Sequence, residues 1–246
     1  MRSNSRTALA LAALLSCAAL TLWLGLRSLP VVTAGTRQEP QAAGPTRPRS
    51  EFLVILDAGH GGDDNGATLA GNLLEKDLTL ALAREIRRNL EDRGVAVRMM
   101  RESDVNLSLE RRAEIANEAR PSLYVALHAG VPGQGARVYA PALASSPSTP
   151  TGPFIPWERA QAASIEQSKT AARLVTAEIH KAGLNVREMT MPLRPLNNLV
   201  APAIAVEWAT GPQSLRPQQL QKAEATLGAS IAAGIVQTRG QMGGRP

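Results

Sequence analysis

Thiols are almost absent from this 246-residue chain, whose one cysteine, Cys17, sits in an uncharged stretch near the N-terminus. Everything after it is therefore without a cysteine nucleophile, a thiolate metal site or a disulfide. Histidine is nearly as scarce, with three in all: His60, His128 and His180. Several catalytic signatures are also missing. Gly59-His60-Gly61-Gly62-Asp63-Asp64 lacks the third glycine of a dinucleotide fingerprint, and neither a Gly-Lys-Ser/Thr phosphate loop nor a Gly-x-Ser-x-Gly elbow occurs. Excess charge is missing from the part expected to fold. Of the formal +6, Arg2, Arg6 and Arg27 carry +3 and residues 28–50 a further +2, which leaves 21 basic and 20 acidic residues from Glu51 onward. That balance points away from a nucleic-acid partner.

What the chain does contain begins with Thr7 to Leu26, 20 residues without a charge, preceded by Arg2 and Arg6. This reads as a signal peptide or a signal anchor, long for a cleaved apolar region and just long enough to span a bilayer. Leu14-Leu15-Ser16-Cys17 resembles a lipoprotein signal, but the apolar run continues beyond it, so Cys17 reads as a small apolar residue of the segment. Residues 28–50, rich in Pro, Gly, Gln and Arg, bury too little apolar surface to fold and read as a disordered linker. The division expected is 1–27 leader, 28–50 linker, 51–238 folded domain and 239–246 flexible tail. The leader implies an exported chain, periplasmic or in the cell envelope, touching membrane only through residues 7–26.

From Phe52 the pattern is α/β. Phe52 to Leu56 is short, apolar and β-branched, a buried strand that stops at glycine. Leu78, Leu82, Ile86 and Leu90 then recur at four-residue intervals, with Gly94 as the stop, and Val95 to Met100 is a second strand. Strand, helix, strand in so short a span predicts a parallel crossover. Ser108 caps a further helix, with Leu109, Ala113 and Ala116 inward and Glu110, Arg111, Arg112 and Glu114 outward, ending near Arg120-Pro121. Leu123 to Leu127 is a third strand and Ala136 to Ala142 a fourth, followed by a Ser/Pro/Thr/Gly loop over 143–156. Trp157 to Gly183 has helical spacing, with Ile165, Ala172, Val175 and Ile179 inward and His180 on a solvated face. Pro192, Pro195 and Pro202 keep the next segment extended until a last strand, Ala203 to Val206, and Arg216 to Val236 closes as a helix. The predicted fold is one α/β domain with a central, mostly parallel twisted sheet flanked by helices.

Ligands of open α/β sheets gather at the carboxyl ends of the strands. His60 and His128 both fall there, Glu75 heads the first helix, and Glu207 follows the last strand directly. A carboxylate in an apolar stretch costs several kcal/mol unless it is paired or neutralised. A salt bridge from Glu207 to Arg194 or Arg101 would satisfy it. The functional alternative is a zinc ion on His60, Glu75 and His128 with one position open to water, and Glu207 taking that water's proton, the parts of a metal-assisted amide hydrolase.

Asp57-Ala58-Gly59-His60-Gly61-Gly62, Gly66-Ala67, Glu75-Lys76, Arg111 with Ala116-Asn117, Leu127-His128-Ala129, Pro202-Ala203 and Val206-Glu207 resemble, in order and spacing, the zinc-dependent N-acetylmuramoyl-L-alanine amidases of bacterial cell walls. The likeness is close over residues 51 to 140 and looser over 164 to 236. It implies one zinc ion on His60, Glu75 and His128, Glu207 as the catalytic glutamate, and Arg194 of Pro192-Leu193-Arg194 near the substrate groove. The reaction implied is hydrolysis of the amide between N-acetylmuramic acid and L-alanine in peptidoglycan, by a monomer whose protein activator, if one exists, the sequence does not name. The chain departs from the family at Gly130, where asparagine is frequent, and at Trp208-Ala209. Residues 141–163 fall where some relatives place a helix over the zinc. A zinc exopeptidase and a non-catalytic wall-binding or regulatory domain of the same fold are the alternatives.

Overall fold

The computed structural model describes residues 52–130, 133–143, 157–211 and 216–243. The leader, the linker and residues 144–156 of the 143–156 loop lie outside them. Six strands form one sheet in the order β2-β1-β3-β6-β4-β5: β1 is Leu53–Ala58, β2 Ala96–Met99, β3 Leu123–Ala129, β4 Gln134–Pro141, β5 Val186–Met191 and β6 Ala203–Thr210. β2, β1, β3 and β6 run parallel, β4 is antiparallel to β6, and β5 is parallel to β4. The mostly parallel α/β architecture expected from the alternating pattern is the one observed.

Four helices flank the sheet: α1 Glu75–Glu91, α2 Leu109–Ala119, α3 Ile165–Lys181 and α4 Pro217–Gly243. Strand alternation sends Val54 and Leu56 of β1, Val125 and Leu127 of β3, Val138 of β4 and Ile204 and Val206 of β6 into a core built with Leu82 and Ile86 of α1, Val175 and Ile179 of α3, and Leu227, Ile231 and Ile235 of α4. On the opposite face Ile55, Tyr124, Ala126, Tyr139 and Ala205 pack, among the described residues, with Met100, with Ala113 and Ala116 of α2, and with Leu196 and Leu199 at a 3-10 turn, Leu196–Asn198. Among the described residues this is the thinner of the two layers.

Several expectations change in detail. β5 lies in a stretch that the sequence pattern left without an element; it is an edge strand with residues 187–191 exposed, so apolar alternation never marks it. β6 runs on to Thr210, so Glu207 lies inside the strand rather than after it. Ser108 caps α2 as expected, accepting from the Arg111 N–H, but Leu109 is exposed while Arg112, expected outward, is 3 % exposed. α4 continues past Val236 to Gly243. Trp157–Ala163 is a 3-10 helix, and Gln161 donates to the carbonyls of Leu199 and Ala201, before the start of β6 and away from Glu207. Among the described residues no helix is long and apolar enough to cross a membrane, and residues 7–26 lie outside them.

Candidate functional site

The site starts where β1 ends. Gly61 and Asp64 exchange backbone hydrogen bonds of 2.9 and 3.2 Å, closing a tight bend that leaves His60 at φ 62°. So rare a backbone for a non-glycine residue needs support. Two buried guanidiniums provide it. Arg101 donates to the carbonyls of Ala58 at 2.9 Å and Gly59 at 3.0 Å, and Arg112 to those of His60 at 2.9 Å and Leu107 at 2.9 Å. Arg112 also pairs with the Asp57 carboxylate, which accepts the Tyr124 hydroxyl as well. Burial raises the Asp57 pKa, against the opposing pull of Arg112 and Tyr124. Removing one partner of a pair so deep costs about 3–5 kcal/mol, because the other charge stays behind in a dry interior. Lys76, at the start of α1, ties the bend from outside through the Gly62 carbonyl at 2.7 Å and Asp104 at 2.9 Å.

On this platform His60, Glu75 and His128 converge, offering ligand atoms all within 4.8 Å of one another. Glu75 Oε1 lies 3.1 Å from His60 Nε2 and 3.0 Å from His128 Nδ1. Donors about 3.3 Å apart are what a tetrahedral ion with bonds near 2.0–2.1 Å requires. Backbone N–H groups of Ala129, to Oε1 at 3.0 Å, and Ala67, to Oε2 at 2.9 Å, hold the carboxylate in place. Burial alone would raise the Glu75 pKa, but these two amides and the two imidazoles together drive it well below the ordinary carboxylate range. The Glu75 hydrogen bond is also what chiefly raises His60.

Asp64, to which sequence reasoning gave no role, accepts from the other nitrogen, His60 Nδ1, at 2.9 Å. A carboxylate on the far side of an imidazole fixes its orientation and basicity, as it does for metal-ligating histidines. The four-residue spacing His60-x-x-x-Asp64 was its signal, legible only once the bend is known. Glycines form the walls. A Cβ on Gly59 would stand 2.6 Å from His128 Cε1, and one on Gly66 would stand 2.6 Å from His60 Cδ2 and 2.7 Å from Glu75 Oε2. Gly130, at φ 112°, would bring a Cβ to 2.7 Å from Ala67 Cβ, which accounts for glycine following His128-Ala129 here.

Glu207 is level with His128 on the neighbouring strand, so both side chains leave the same face of the sheet. Its partners are not those the sequence offered. Tyr139 donates to Oε2 at 2.7 Å, and Arg137 Nη1 lies 3.9 Å from the same oxygen. Arg101 is committed to the platform, and Arg194 is exposed and 4.0 Å from Glu110. Beside His60 and His128 a cleft of about 170 Å³ is rimmed by Leu107, Leu109 and Pro195, the residue after Arg194. His180 is exposed, as expected.

Residues 54–237 match the family described as N-acetylmuramoyl-L-alanine amidase. The chain belongs to that amidase family. Among relatives, the endolysin of Bacillus phage SPP1 is 35 % identical over 63 % of this chain and 53 % of its own length. The germination-specific N-acetylmuramoyl-L-alanine amidase of Bacillus subtilis is 38 % identical over 33 % of this chain and 40 % of its own. The chain thus spans about half or less of these relatives. Amidase AmiC2 of Nostoc punctiforme has a TM-score of 0.58 at 25 % identity, over 76 % of this chain and 96 % of that one. An amidase of Clostridium difficile 630, with a TM-score of 0.60 at 23 % identity over 79 % and 98 %, shares the fold.

Proposed function

We propose that this chain is a zinc-dependent N-acetylmuramoyl-L-alanine amidase that cleaves peptidoglycan between N-acetylmuramic acid and the first residue of the stem peptide. The observation that carries the reading is the placement of Glu207 beside, and on the same face as, a converged His60, Glu75 and His128. Those three would hold one zinc ion, which supplies Lewis-acid polarisation of the scissile carbonyl and of the attacking water.

The remaining work belongs to the protein. Tyr139 holds Glu207 through Oε2. Glu207 accepts the water's proton and returns it to the leaving nitrogen, so that the amide departs as an amine. Arg194, on the exposed side of the cleft, contacts the substrate. The buried platform beneath His60 keeps the ligands in register before substrate arrives, which removes reorganisation from the reaction step.

The same reading has residues 51–238 as the catalytic domain, exported and tethered or led by residues 7–26, acting as a monomer on the wall and not on nucleic acid. Incubating the purified chain with peptidoglycan, with and without chelator, and weighing the released fragments tests it. Free stem peptides beginning with L-alanine, lost on chelation and restored by zinc, are expected. Fragments cut at another bond, or chelator-insensitive release, would overturn it.

A further inference from the structure

The row that carries His128 and Glu207 does not end at Glu207. β4 places Arg137 level with Glu207, and β5 places Arg187 level with Arg137. The four side chains therefore leave one face of the sheet in sequence, His128, Glu207, Arg137, Arg187. The two arginines also border a cavity of about 410 Å³ at the start of β4 and β5, larger than the cleft beside the ligands and shared with Asn185 and His180. Gly135 lets β4 approach the entry to β5 there: its φ is 109°, and a Cβ would lie 2.1 Å from the Asn185 carbonyl oxygen.

The charges are unequally compensated. Arg137 faces Glu207 and bonds the Tyr139 hydroxyl. Arg187 is exposed and, among the described residues, makes no ion pair, while Glu188 beside it points to the opposite face by strand alternation. A cationic side chain two strands along the same sheet face from the proposed catalytic carboxylate is placed for an anionic part of the substrate. Two strand spacings of about 4.8 Å separate Glu207 from Arg187, and an extended peptide advances about 3.3–3.6 Å per residue. The group that reaches Arg187 thus lies two to three residues beyond the scissile amide.

Resting on the amidase reading above, we infer that Arg187, with Arg137 beside it, forms a subsite for a carboxylate at the second or third residue of the stem peptide, and that the enzyme discriminates free carboxylate from carboxamide there.

Soluble muramoyl-peptides identical except for carboxylate or carboxamide at those residues test this, with kcat and KM measured separately. The zinc-loaded parent is expected to favour the carboxylate about tenfold in kcat/KM, chiefly through KM, with the preference shrinking as salt is added. Arg187→Gln should bring the ratio of the two substrates close to 1, and Arg187→Lys should restore part of it. Equal cleavage of both substrates by the parent, or a ratio undisturbed in Arg187→Gln, overturns the subsite and leaves the amidase reading standing. Failure to cleave either substrate removes both.

Discussion

The ligand side of the site and the glutamate side are built in different ways. His60 and Glu75 stand on a platform in which the carbonyls of Ala58, Gly59 and His60 are all bound by buried arginines, and Glu75 itself is 5 % exposed with four hydrogen-bond partners. Glu207 has one short hydrogen bond, a guanidinium at 3.9 Å and an open cavity farther along its row. On the proposed reading, the first arrangement fixes geometry before substrate arrives and the second leaves room for a substrate and a moving proton. Damage on the ligand side should therefore reach metal retention and folding, whereas damage on the glutamate side should reach turnover alone.

The comparison breaks most visibly at Glu75. Glu75→Ala removes a proposed ligand and the anchor of both imidazoles, so zinc content measured by elemental analysis and activity should both fall to background. A variant that keeps stoichiometric zinc would sink the ligand assignment. Glu207→Gln should lower kcat by about 10²–10⁴-fold while zinc content and the unfolding midpoint stay at parental values. Loss of zinc along with activity would show that the two sides are not separable. Asp64→Asn leaves all three proposed ligands but weakens the partner of His60 Nδ1. Its zinc affinity, titrated against a competing chelator, should drop about 10–100-fold. Tyr139→Phe is the mildest. It deletes one hydrogen bond to a charged acceptor and should cost about tenfold in kcat with KM little changed; an unaltered kcat would mean that Glu207 needs no such support.

The placement of these groups was legible in the sequence to the extent that it followed strand ends. His60, His128 and Glu207 were read at or just past the ends of apolar strand runs and Glu75 at the head of a helix, and the structure brings His60, Glu75 and His128 together with Glu207 beside them. What stayed hidden depends on pairing. Tyr139 and Arg137 meet Glu207 only because β4 turns antiparallel to β6, a register that no local pattern encodes. Arg112 looked outward because a charge on a helix is usually solvated; its partner Asp57 is 55 residues away and equally buried. β5 carries Arg187 and Glu188 ahead of Met189-Thr190-Met191 on an edge exposed to solvent, so neither helical nor alternating apolar spacing marks it. Leu109, 45 % exposed, sits on the cleft rim rather than in the core, where apolar character alone would have placed it.

Because His128, Glu207, Arg137 and Arg187 share one row of one sheet face, the machinery has a parity. Moving β6 by a single residue against β3 would present Val206 or Trp208 in the place of Glu207 and turn the carboxylate into the helix-packed core. Length is consequently fixed within these strands. A one-residue deletion between Ala203 and Glu207 should therefore abolish the proposed activity without touching a single proposed site residue.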